Sequence, residues 1–294
     1  MKRLAFATVL SLLFAWGCSK YEVQYEGPYQ DETDKTPVAS GIKYEILTVE
    51  NGRIRLYHRN LVYVKTLDNL PTGIQKAAIN YAHDRIAYQV PGQNIVVVDT
   101  VGTLLGTVSN STGAIWFDWH ANNQSLCILT GFNLSFWGPP VSVAATNLTS
   151  LFPSGSSDRE MFCATATADG GIVAAYRYYT FSQGYQNRIT VLAPDGTPWH
   201  VPLGAYSAPW LRADQSGTNI LYAQQNAATT PRIWQIEVTS RQNREYSSGT
   251  IGAVAPQGNR IASWNSGALR VYNPSTNEWF EFQTGAVTMS AMDW

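Results

Sequence analysis

Val287-Thr288-Met289-Ser290-Ala291-Met292-Asp293-Trp294 ends the chain, and it repeats the pattern of an internal stretch, Ile115-Trp116-Phe117-Asp118-Trp119. The internal copy runs into a polar turn and a second apolar run, His120-Ala121-Asn122-Asn123-Gln124-Ser125-Leu126-Cys127-Ile128-Leu129. The terminal copy has nothing after it. A lone strand exposes a row of unpaired N–H and C=O groups, so this one needs neighbours from elsewhere in the chain. Three runs near the other end can supply them: Ile42 to Val49, Arg53 to His58 and Leu61 to Leu67.

The same turn-then-strand unit recurs as Ala82-His83-Asp84-Arg85-Ile86-Ala87-Tyr88, as Ala168-Asp169-Gly170-Gly171-Ile172-Val173-Ala174, as Ala213-Asp214-Gln215-Ser216-Gly217-Thr218-Asn219-Ile220-Leu221-Tyr222 and as Ala255-Pro256-Gln257-Gly258-Asn259-Arg260-Ile261-Ala262. Successive turns lie roughly 38 to 47 residues apart, the length of a four-stranded propeller blade. No segment keeps apolar residues at helical spacing over three turns, whereas short alternating runs come every eight to twelve residues or so. One unit displays its whole strand order: Lys76 to Tyr81 innermost, then Arg85 to Val90, Asn94 to Thr100 and Leu104 to Ser109. The reading is all-β, a single β-propeller of about six four-stranded blades over residues 42–294, closed by pairing of its N- and C-terminal strands. The repeat resembles the Tol-type (TolB-like, WD-like) propeller repeat, in which a Ser-Pro-Asp-Gly-like turn precedes an Ile-Ala-Phe-like strand. That resemblance implies a fold and no particular activity.

Composition agrees. Ten Trp and sixteen Tyr, with abundant Val, Ile and Thr, favour pleated and half-buried surfaces. Lys and Arg number 20 against 21 Asp and Glu, so there is no excess of positive charge to neutralise phosphates, and nucleic acid is excluded as an expected partner. Cys127 and Cys163 lie in apolar runs and read as two separate buried thiols, although a disulfide is open to them in an oxidising compartment.

The first eighteen residues read as an export signal: Lys2 and Arg3 precede an apolar stretch, Leu4 to Trp16, too short to span a bilayer comfortably. Its end, Phe14-Ala15-Trp16-Gly17-Cys18, resembles the bacterial lipobox, with Trp16 standing where a small residue is usual. That resemblance implies lipidation of Cys18, attachment to a membrane through the lipid alone, and an outer-membrane address suggested by Ser19. Residues 19–41 are polar and aperiodic and read as a flexible tether.

No nucleophile elbow, phosphate loop or zinc-protease helix is present. His83 and His120 read as equivalent positions at the ends of neighbouring innermost strands, but two imidazoles without a third ligand make a poor metal site, and His58 and His200 read as strand residues. No metal or cofactor is expected. Two aromatic stretches read as long loops between second and third strands: Gly131 to Pro139 with Phe132, Phe136 and Trp137, and Tyr178 to Gln186 with Tyr178, Tyr179, Phe181 and Tyr185. Tyr206 lies on a crossing loop of the same face. These eight aromatics form the candidate ligand site, suited to sugar rings or the apolar surface of a partner. Asp158 and Glu160 read as a solvated charged turn, because two acids on one loop do not set their separation across a scissile bond. The expected function is a monomeric cell-envelope lipoprotein with a non-catalytic binding or scaffolding propeller for protein or glycan. A polysaccharide hydrolase or lyase, its residues gathered around the central channel from distant blades, is the alternative.

Overall fold

The computed structural model describes residues 44–59, 61, 63–141, 144–225, 229–273, 276, 278–285 and 287–294; the signal and tether expected over 1–41 lie outside them. Twenty-four strands among the described residues form six four-stranded antiparallel sheets. Blade one joins both ends of the domain: β24 (Met289–Asp293) is innermost, followed by β1 (Ile46–Glu50), β2 (Arg53–Tyr57) and β3 (Tyr63–Thr66). The expected closure is therefore present, with Leu47 opposite Asp293 and Val49 opposite Ala291. Asn51 extends it, its N–H donating to the Thr288 carbonyl and its side-chain oxygen accepting from the Thr288 N–H, both at 2.9 Å.

The other blades follow in chain order. Blade two is β4 (Lys76–Ile79), β5 (Arg85–Gln89), β6 (Val96–Asp99) and β7 (Leu104–Thr107). Blade three is β8 (Ala114–Trp119), β9 (Leu126–Thr130), β10 (Asn133–Trp137) and β11 (Thr146–Asn147). Blade four, the longest, is β12 (Ser157–Ala166), β13 (Ile172–Thr180), β14 (Gly184–Leu192) and β15 (Pro198–Gly204). Blade five comprises β16 (Leu211–Ala213), β17 (Asn219–Gln224), β18 (Arg232–Glu237) and β19 (Gln242–Ser248). Blade six comprises β20 (Ile251–Val254), β21 (Ile261–Asn265), β22 (Ala268–Asn273) and β23 (Glu278–Gln283). Each innermost strand lies against the innermost strands of the blades before and after it, which closes the ring.

Each junction between blades has its own apolar cluster. Because side chains alternate across a strand, a buried strand serves two junctions. In β5, Ile86 and Tyr88 face blade one while Ala87 faces blade three. The same alternation separates the cysteines. Cys127 packs between blades three and four and Cys163 between four and five, and both are free thiols. Burial pushes Cys127 up to about 12 and raises Cys163 as well, so neither is a reactive thiolate.

The recurring polar turns join each innermost strand to the next strand out. Their fourth residue adopts a left-handed backbone in every copy: His83, Asn123, Gly170, Gly217 and Gly258. Its N–H donates to the carbonyl three residues earlier, on Asn80, His120, Thr167, Asp214 and Ala255 respectively. This pairing corrects one expectation. His83 corresponds to Asn123, and His120 corresponds to Asn80, so the two histidines stand three positions apart in turns of equal length and are not equivalent.

That alignment also puts Asp118, Arg212 and Asp293 at one position of the repeat, the residue just before Trp119, Ala213 and Trp294 respectively. Arg212 is buried and crosses the channel from blade five. Its guanidinium lies 3.1 Å from Asp118 of blade three and 3.4 Å from Asp293 of blade one. It also donates to the carbonyls of Ala77 (3.2 Å) and Phe117 (3.4 Å), and stacks over the Trp116 ring at 4.5 Å. Asp293 in turn accepts the N–H of Ile79 at 2.9 Å, hooking the closing strand to blade two. Removing one partner of a buried ionic cluster leaves uncompensated charge, which costs about 3–5 kcal/mol. Arg212→Met should therefore lower the unfolding free energy by about that much in urea titration. A loss below about 1 kcal/mol would show that the clasp is dispensable.

Candidate functional site

Two features share the face on which outermost strands cross over to the next blade. The first is the channel mouth. A cavity opens there, walled by residues of five innermost strands and by Trp210, with Arg212 as floor. Its lining includes Lys76, Trp116, Trp210, Ile251, Ser290 and Met292. The opposite end is blocked, since the Tyr81 hydroxyl, on the turn after β4, reaches across to donate to the Ala213 carbonyl of blade five at 3.0 Å. The channel is thus a blind funnel.

The second feature is the hairpin of β13 and β14, paired without interruption from Ile172 opposite Leu192 to Thr180 opposite Gly184. Phe181 at its tip is 95% exposed and Tyr185 beside it 53%. The Tyr179 ring meets both edge-on, at 5.9 Å and 5.3 Å between centroids. Arg177 lies over Tyr185 at 5.1 Å and is ion-paired to Glu160 at 2.6 Å, and the Tyr185 hydroxyl donates to Asp158 at 3.1 Å. That hydrogen bond, first of all, raises the Tyr185 phenol above its ordinary value. Asp158 and Glu160 are solvent-exposed, as expected of a solvated charged segment, but they lie in strand and not in a turn. They sit at the start of β12, where a register shift carries the strand past Asp158, and they brace the hairpin.

The expected aromatic site is divided by the structure. Both stretches read as loops are largely strand. Gly131, with a left-handed backbone, permits a two-residue turn with Phe132, so β10 begins at Asn133. Phe132 packs edge-on against Phe152 at 5.4 Å, inside the junction of blades three and four. Phe136 packs against the same junction. Trp137, at the far end of β10, lies away from the hairpin tip, in the junction of blades two and three, where a Cβ on Gly106 would come within 2.9 Å of its ring. Tyr178 is only 1% exposed and belongs to the core, and Tyr206 is half-buried against the junction of blades four and five. Tyr179, Phe181 and Tyr185 alone remain together at the surface.

Lys76, Arg212, Asp118 and Asp293 were not expected as site residues. Their signal was a charge inside an otherwise apolar innermost strand, seen twice as Asp-Trp, at Asp118-Trp119 and Asp293-Trp294. In both pairs the carboxylate accepts the N–H of the following Trp, at 2.9 Å and 3.0 Å. Burial pushes the Asp293 carboxyl up to about 7 against the pull of Arg212, with Asp118 adding to the rise; Asp118 is raised too, again by burial.

This geometry is that of a six-bladed, TolB-like propeller. Among solved structures the chain is similar to TolB from Acinetobacter baumannii, with 12% identity and a TM-score of 0.59 over 86% of this chain and 67% of that one. It is also similar to the Cps50 (Swd1) β-propeller domain of Myceliophteria thermophila, with 12% identity and a TM-score of 0.50 over 87% of this chain and 91% of that one. At such identity the likeness concerns the fold alone. No protein-family model matches the sequence, and no curated protein matches it.

The raised Asp293 carboxyl makes stability pH-dependent. An aspartate in the unfolded chain titrates near ~3.9, so between that value and about 7 the folded state holds a proton that the unfolded state has released. The contribution is complete below about pH 4 and is lost as pH rises to about 7. Urea titrations across this range should show the parent losing stability relative to Asp293→Asn, which cannot titrate; parallel profiles would refute the assignment.

Proposed function

We propose that this protein is a cell-envelope lipoprotein whose monomeric propeller binds or scaffolds a protein or glycan partner through the blade-four hairpin. The observation that carries this reading is the exposed aromatic tip. Phe181, Tyr185 and Tyr179 form a cluster held by Arg177, Asp158 and Glu160, and an aromatic exposed as far as Phe181 gains nothing from burial in the chain itself. Rigid aromatic rings with charged neighbours suit a sugar ring or the centre of a protein interface. Fold class supports a binding role too, because the solved structures it resembles include TolB and a WD-repeat-like propeller domain. An enzyme of the hydrolase or lyase kind would need free carboxylates around the channel. The two that meet there, Asp118 and Asp293, are buried and shared by Arg212, an arrangement that favours a structural part for them.

The double change Phe181→Ala and Tyr185→Ala should leave unfolding within about 0.5 kcal/mol of the parent. It should remove glycan-array signal, or the adduct formed by a photo-crosslinker at a neighbouring hairpin position such as Gln183. Binding undiminished in the double variant would exclude the hairpin. The envelope address rests on Lys2, Arg3 and the lipobox-like Phe14-Ala15-Trp16-Gly17-Cys18. On that sequence, attachment is assigned to the acyl chains on Cys18; among the described residues no helix is long and apolar enough to cross a membrane. Metabolic labelling with a palmitate analogue should mark the parent and not Cys18→Ser; label retained by the variant would end the assignment.

A further inference from the structure

Lys76 stands at the channel mouth, half-buried, with no carboxylate beside it: neither the ion pairs of the described residues nor the cavity lining gives it an acidic partner. Its ammonium is held by two backbone carbonyls, Ala114 at 2.9 Å and Ile115 at 2.5 Å. Those carbonyls face it because β8 bulges there, its register with β9 stepping from Ala114 to Trp116. An ammonium has three donors, so one is left over. In the same lining the indole N–H of Trp116 is buried and meets no acceptor. The Trp116 indole N–H thus lacks an acceptor, which is costly for a buried polar group, while Lys76 keeps one donor beyond the two its carbonyls take.

Apart from Arg212 and Ser290, the rest of the cavity is aromatic or apolar. Trp210 is fixed by donating its own indole N–H to the Thr250 carbonyl at 2.7 Å. Its ring lies close over β20, where a Cβ on Gly252 would come within 3.1 Å of it and 2.8 Å of the Ala262 carbonyl. Phe117, Ala291 and Met292 complete the wall. Arg212 at the floor is already matched by Asp118 and Asp293, which leaves Lys76 as the uncompensated charge. The blocked far end prevents a polymer from threading through, so a ligand can enter only from the mouth.

We propose that the channel mouth is a binding site for a small organic anion, its carboxylate set against the Lys76 ammonium and the Trp116 indole N–H and its planar apolar body lying against Trp116 and Trp210. The site is separate from the blade-four hairpin and does not depend on its function.

The test uses the full chain labelled with nitrogen-15, following the Trp116 indole resonance (assigned with Trp116→Phe) during titration with 3-phenylpropionate. Its uncharged amide and the cation 3-phenylpropylamine serve as comparisons. The acid should shift the resonance saturably and bind at least about tenfold more tightly than the amide, the value of one charge-assisted hydrogen bond, with the amine weakest. Lys76→Met should reduce the acid to the affinity of the amide, Lys76→Arg should retain the preference, and Phe181→Ala should leave it unchanged. The proposal is overturned by an absent or non-saturating shift at Trp116, by equal binding of acid, amide and amine, or by a Lys76→Met protein that binds the acid as the parent does. Should Lys76→Met fail to fold, the three-ligand comparison on the unaltered chain decides alone.

Discussion

Antiparallel pairing between β24 and β1 is the constraint on which the other features rest. A propeller whose blades each came from one continuous stretch would close only through side-chain packing between first and last blades. Here the last strand of the chain is the innermost strand of the first blade, so opening the ring would break backbone hydrogen bonds as well as two apolar junctions. The pairing also carries Asp293 into the channel and Ser290, Ala291 and Met292 into the wall of its mouth. Without β24 against β1, Arg212 would keep one carboxylate of two, and the cavity would lose a side.

The channel shows how a repeat is made unequal where it matters. At the repeat position that precedes Trp119 in blade three and Trp294 in blade one, blades one, three and five carry Asp293, Asp118 and Arg212, while blades two, four and six carry Ala78, Thr165 and Ala253. Arg212 can reach two aspartates on alternate blades because the small residues between them leave room. One cation between two anions leaves a net negative centre in a buried place, and the raised carboxyl of Asp293 is the physical consequence: near neutrality the pair relieves its excess charge by taking a proton.

Legibility in the sequence followed the range of the interaction. The blades were readable because each strand declares itself by local alternation and each turn by polar residues, and the closure was readable because Met292-Asp293-Trp294 copies Phe117-Asp118-Trp119. Strand against loop was misread at Gly131-Phe132 and at Tyr178 to Gln186, where aromatic runs without Asn-Gly or Asp-Gly turns conceal tight hairpins. The aromatic site was therefore drawn too wide: Phe132 and Tyr178 point into a junction, and Trp137 sits at the wrong end of its strand. Arg212 and Lys76 show in the sequence only as charges inside apolar strands, which assigns them no role. What makes them notable is their surroundings, brought from blades one, two and three, and no local spacing encodes those.

The two surface features differ in the kind of variation they tolerate. The hairpin owes its projection to nine-residue strands in blade four, and Phe181 and Tyr185 at its tip are exposed, so these aromatics can change without disturbing the ring. The channel mouth has no such freedom: Trp116 stacks on Arg212, Trp210 needs Gly252, and Lys76 needs the bulge in β8. A shape so constrained by the clasp beneath it is preorganised, which lowers the cost of ordering side chains around a small ligand. A large partner, by contrast, is better met by an adaptable projection at the rim. Their common face follows from strand direction alone, because each innermost strand starts at the end of the ring where second strands finish.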